Sequence, residues 1–72
     1  MLYPNPTNGN FIVESGGGRI SLMSLDGRVL KEYELAEGKD KIELPQGIAA
    51  GMYMIKYRGP KTDKVLRLIY QP

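Results

Sequence analysis

Arg19-Ile20-Ser21-Leu22-Met23-Ser24-Leu25-Asp26-Gly27-Arg28-Val29-Leu30-Lys31-Glu32-Tyr33-Glu34-Leu35 is the stretch that decides the fold class. Two alternating runs flank an Asp-Gly pair. In the first, Ile20 and Leu22 fall on one face, with Met23 and Leu25 on the other. In the second, Val29, Tyr33 and Leu35 share a face with Lys31 among them, while Glu32 and Glu34 point away. A period of two belongs to a strand, not a helix. Asp-Gly between apolar flanks signals a hairpin, because a two-residue type I′ loop needs positive φ at both central positions. The stretch therefore predicts antiparallel strands over residues 19–25 and 28–35, joined at Asp26-Gly27.

Working outward, the same reading gives five more strands. Residues 1–3 form a short edge strand stopped by Pro4 and Pro6, which cannot donate to a ladder. Residues 10–14 put Phe11 and Val13 on one face; residues 39–44 turn Ile42 and Leu44 inward and Lys41 and Glu43 outward. In 51–58, Tyr53, Ile55 and Tyr57 oppose Met52, Met54 and Lys56. Residues 64–70 are apolar on both faces, with Val65 and Ile69 opposite Leu66, Leu68 and Tyr70. Glycines separate these segments at roughly the 8–12-residue spacing of a sandwich or barrel. Thr7-Asn8-Gly9 predicts a tight turn, Gly16-Gly17-Gly18 a mobile loop tip, and residues 59–63 a polar hairpin loop. In residues 45–50 the apolar Ile48 predicts a segment tucked against the rim or wound into one helical turn. The expected fold is all-β: about seven short antiparallel strands in a Greek-key β-sandwich.

Composition narrows the chemistry. A chain of 72 residues is one domain at most, and at this size only about 60% of the unfolded surface is buried. There is no cysteine, so the core must hold the fold without disulfides, and no histidine, which removes the commonest general base and metal ligand. Ser15, Ser21 and Ser24 have no imidazole partner, and Gly16-Gly17-Gly18 lacks the Lys-Ser/Thr and helix of a phosphate loop. Glu32 and Glu34 read as a solvated sheet face, not a hydrolase pair. No enzyme activity, cofactor or metal is expected. Asn5, Asn8, Asp26, Asp40 and Asp63 offer oxygen to calcium, but they are not grouped at EF-hand spacing, and turn formation accounts for each. Ten basic residues are scattered among eight acidic ones, which is not the stripe of a nucleic-acid binder. No apolar run approaches the roughly 20 residues of a membrane helix, and any export signal is expected upstream of residue 1. Tyr3, Tyr33, Tyr53, Tyr57 and Tyr70 raise the alternative of a sugar-stacking module. Alternation instead places Tyr33, Tyr53 and Tyr57 in the core with their hydroxyls at the rim.

Four motifs occur in order. Tyr3-Pro4-Asn5-Pro6-Thr7-Asn8-Gly9 opens the chain, and Asp26-Gly27-Arg28-Val29 follows. Then come Ile48-Ala49-Ala50-Gly51-Met52-Tyr53 and a last strand starting Lys64-Val65-Leu66. The ordered set resembles the C-terminal sorting domain of the type IX secretion system of Bacteroidetes-type bacteria, with Ala49 where that family usually has Pro. The resemblance implies an immunoglobulin-like sandwich spanning residues 1–72, carried at the C-terminus of a larger secreted protein behind an N-terminal passenger domain. It implies recognition by the outer-membrane secretion machinery after transit of the periplasm, often followed by removal by a surface sortase and attachment at the cell surface. The motif residues it singles out are Pro4, Asn5, Pro6, Gly9, Asp26, Gly27, Arg28, Gly51, Tyr53, Lys64, Val65 and Leu66. The expected recognition surface is the strand over 64–70, with the turns at 5–9 and 26–28 nearby. Strand addition at an open edge is the expected docking mode, and edge pairing of two copies is a further expectation.

Overall fold

A computed structural model describes residues 1–72 as strands, turns and loops without a helix. In chain order the strands are β1 (Leu2–Tyr3), β2 (Asn10–Met23), β3 (Val29–Glu43), β4 (Gly51–Arg58) and β5 (Asp63–Tyr70). They form one antiparallel sheet in the order β1-β2-β4-β5, with β3 on the other side of β2. The seven strands and two sheets expected from the sequence become five strands in one curled sheet. The expected segments 10–14 and 19–25 fall within β2 except for residues 24 and 25, and 28–35 and 39–44 fall within β3 except for residues 28 and 44.

The fusion follows from what the glycines do. Gly16-Gly17-Gly18 is not a loop tip: Gly16 pairs with Glu37 and Gly18 with Leu35, inside the β2–β3 ladder. Yet the buried set changes parity there, from Phe11 and Val13 to Ile20 and Leu22 on β2, and from Leu35 to Ile42 on β3. A strand of period two buries both sets only if the ribbon turns over between them. Gly17 and Gly18, with φ of 95° and 117°, and Gly38 across the ladder, with φ of 109°, supply the left-handed backbone that turns it. At Gly18 a Cβ would also overlap the Arg58 carbonyl oxygen.

The turned ribbon has different neighbours along its length. The first part of β2 pairs with β1 through Leu2↔Val13, and the last part pairs with β4 through Ile20↔Tyr57 and Leu22↔Ile55. Phe11, Val13 and Ile42 from one part then meet Ile20, Leu22 and Leu35 from the other in a single core completed by Ile55 and Leu68. Tyr33 spans the turn-over, donating its hydroxyl to the Glu43 carbonyl at 2.7 Å. Tyr57 donates to the Gly17 carbonyl at 2.8 Å.

Two local expectations change, and of the two readings given for residues 45–50 one holds. The β2–β3 loop is not a two-residue type I′ turn, because Asp26 lacks positive φ and only Gly27, at 91°, has it. Gly27 N–H donates to the Ser24 carbonyl at 3.0 Å and Ser24 N–H to the Arg28 carbonyl at 2.9 Å. This is a three-residue loop, a turn followed by a left-handed glycine. Next to it the register shifts between Leu22 and Met23, so Val29 pairs with Met23 and stands 52% exposed, away from Tyr33 and Leu35. Residues 45–50 contain no helical turn; Ile48 packs against the core.

Candidate recognition surface

The opening motif is folded onto the last strand. Asn5 Nδ2 donates to the Arg67 carbonyl at 2.6 Å, and Ile69 N–H donates to Asn5 Oδ1 at 3.0 Å. One side-chain amide thus stands in for a peptide group of a neighbouring strand. Thr7 continues the lacing: its N–H donates to the Ile69 carbonyl at 2.8 Å, and its carbonyl accepts from Gln71 N–H at 2.8 Å. Thr7 is 1% exposed, and its hydroxyl donates to the Asn10 carbonyl at 2.7 Å while accepting from Gly9 N–H at 3.1 Å. Every polar group of this buried residue is therefore satisfied. Thr7 is a key residue that the sequence reading missed. Its signal was a Thr two residues ahead of Gly, a spacing at which the hydroxyl closes a turn on its own backbone. The Tyr3–Pro4 and Asn5–Pro6 peptide bonds are both cis, and Pro4 and Pro6 are exposed.

The third motif reaches the same place. Gly51 pairs with Tyr70 and Tyr53 with Leu68, which is fully buried. The Tyr53 hydroxyl donates to the Ala49 carbonyl, fastening the loop that leads into β4. Asn5, Thr7, Gly9, Gly51 and Tyr53 therefore converge on the C-terminal half of β5.

Lys64, Val65 and Leu66 lie in the other half and are exposed, Val65 by 58% and Leu66 by 36%. The Asp26-Gly27-Arg28 tip is not beside them. Met23 is in register with Met54, and Met54 with Arg67, so the tip lies toward the Tyr70 end of the sheet, away from residues 64–66. Within the tip, the Ser24 hydroxyl donates to Asp26 and accepts from Arg28 N–H at 3.2 Å. The Ser24 hydrogen bond, with help from the Arg28 charge, holds the Asp26 carboxyl below the usual range. The sequence-predicted motif residues thus form a laced end and an unlaced end of one strand, with the second motif apart as a hairpin tip.

The unlaced half of β5 borders a groove of about 580 Å³ whose other wall is β1 and the adjoining part of β2. Its floor includes Val13, Ile20, Ile55 and Leu66. The oxygen-bearing residues considered for calcium do not converge: Asn5 is engaged with β5, Asp26 with Ser24, and Asp40 with the Ala36 N–H at 3.3 Å. Tyr33, Tyr53 and Tyr57 pack against the core, and each donates its hydroxyl to a backbone carbonyl, so they form no exposed stacking row. Burial, with the Glu43 charge, pushes the Tyr33 phenol up.

The model of one family, described as the secretion system C-terminal sorting domain, matches residues 1–71. No curated protein and no solved structure matches the chain. The matched span takes in all five strands and both ends of the lacing, and on that span the chain belongs to the family of type IX secretion C-terminal sorting domains.

Proposed function

We propose that this domain directs a passenger joined to its N-terminal side through the outer membrane, with the exposed half of β5 as the segment that the machinery reads. The observation that carries this reading is the family match over residues 1–71 of a chain whose opening motif is hydrogen-bonded to its last strand. A folded address of this kind presents one surface only once its two ends have met, so recognition tests for completed folding. The passenger crosses the periplasm first. At the cell surface a sortase then removes the domain and leaves the passenger attached. Pro4, Pro6, Gly9, Gly51 and Tyr53 serve the fold; Lys64, Val65 and Leu66 serve recognition.

The test is a reporter carrying this chain at its C-terminus in a type IX-competent cell. Export is expected for the intact fusion and lost on deletion of residues 64–72. Val65→Lys, at an exposed position, is expected to keep the fold and lower export. Normal export of the deletion would refute the assignment.

A further inference from the structure

The groove beside β5 is a vacant strand position, and we infer that it takes an extended segment of a partner protein in which apolar residues alternate with carboxylates. The backbone on both walls carries the inference. Along β5, the Arg67 carbonyl and both main-chain groups of Ile69, which point away from β4, are bonded to Asn5 and Thr7, and the Arg67 N–H is left open. With a period of two, the next outward-pointing groups are those of Val65, which pair with nothing on that side. On the opposite wall, Met1 and Glu14 exchange both of their backbone hydrogen bonds at 2.7 Å. Leu2, one residue on, is therefore in a non-bonded pair with Val13, and its N–H and carbonyl point away from β2. Two strand edges with unused donors and acceptors thus flank one apolar floor, which is the arrangement that accepts an added strand.

Side chains favour this edge over the other open one. No strand pairs with the outer edge of β3, but Lys31, Glu32, Glu34, Lys39, Lys41 and Glu43 stand along it and guard it with charge, and its Ala36 N–H is already held by Asp40. On the β5 wall, Val65 and Leu66 are exposed instead, and the charged residues that line the groove there are Lys61, Lys64 and Arg67, with Asp63 at the start of β5 outside the lining. None of these three takes part in the protein's ion pair, which joins Arg19 to Glu34 at 2.7 Å. Three unpaired cations along the edge that the incoming strand must follow select carboxylates on that strand. Glu14 and Glu37 line the far wall, so one face of the incoming strand carries the carboxylates and the other is apolar.

This inference rests on the sorting reading only for the source of the partner. The probe is a short synthetic peptide in which valine alternates with glutamate and threonine, titrated into the full chain while the amide resonances are followed. The acidic peptide is expected to shift Leu2 and residues 64–66 and to leave β3 unmoved. Replacing its glutamates by lysine is expected to weaken binding about tenfold, or 1.4 kcal/mol. Val65→Pro removes an N–H that β4 does not use and is expected to abolish binding without unfolding the chain. Charge reversal at Lys61 and Lys64 is expected to invert the preference between the two peptides. Shifts along β3, equal binding of both peptides, or peptide-competed dimerisation of the free chain would each overturn the inference, the last by making a second copy the occupant. If the peptide fails while the reporter is still exported, the groove is wrong and the sorting reading stands. If the peptide binds and the reporter is not exported, the reverse holds.

Discussion

The two halves of β5 are adjacent in sequence and opposite in circumstance. Residues 67–70 have a strand on one side and a lace on the other: β4 pairs with them, Asn5 and Thr7 occupy their outer edge, and Leu68 is fully buried. Residues 63–66 have the same partner on β4, but their outer edge is open and Val65 and Leu66 face outward or into the groove. Hydropathy does not separate them, since both halves carry apolar residues on both faces. What separates them is the chain's other end, which reaches Arg67 and stops. One strand can thereby anchor the fold with one half and remain available with the other.

Substitutions can break that comparison, and the largest effect is expected at Leu68. Leu68→Ala should cost about 2–5 kcal/mol, because the core has little capacity to collapse around the cavity, whereas Val65→Ala should stay within about 0.5 kcal/mol. Chemical denaturation of both variants measures the difference, and equal costs would erase the distinction between the halves. Thr7→Val comes next. It keeps the shape but strips the Asn10 carbonyl and Gly9 N–H of their partner, at about 1–3 kcal/mol for buried groups left unpaired.

Asn5→Ala is expected to cost less, about 0.5–1.5 kcal/mol for each exposed hydrogen bond lost. Its sharper readout is hydrogen exchange: the Ile69 amide should lose protection while the Val65 amide, already open at that edge, should not change. Faster exchange at both would show that the lace holds the whole strand.

The smallest effects are pH limbs, which belong to the β2–β3 ribbon and should leave the contrast within β5 untouched. The folded pKa of Asp26 lies below its ordinary 3.8, so its contribution is present above that value and lost as pH falls through the folded one. Tyr33 is the opposite case. Its folded pKa lies above the ordinary 10.0, so its contribution is complete below that pH and lost as pH rises through the folded value. Melting temperature against pH should show both limbs, with Asp26→Asn flattening the acid one and Tyr33→Phe the alkaline one.

Much of the core was legible from alternation. Ile42 and Ile55 are buried on the faces that alternation turned inward, and Phe11 with Val13 and Ile20 with Leu22 are buried as the same-face pairs it grouped, whereas the last strand, apolar on both faces, gave no sign that Leu68 is the buried one. The glycine triplet misled, because a glycine that ends a strand and one that turns a strand over look alike in one dimension. Val29 misled because a register shift beside a three-residue loop reverses a face without any mark in the pattern. At the candidate surface, the motifs gave Asn5 and residues 64–66 but not their relation, and Thr7 was hidden as a turn residue.

Sequence alone determined that this chain is all-β, which side chains are apolar on which face, and that no imidazole or thiol chemistry is available to it. These follow from local periodicity and from the inventory of side chains. Only the tertiary structure decided that seven segments are five strands, that Asn5 and Thr7 lace half of β5, and that the other half is left with an open edge. Those outcomes depend on hydrogen bonds between residues more than sixty positions apart, such as Asn5 to Arg67 and Ile69. The fold brings those residues together; no window along the chain contains them both.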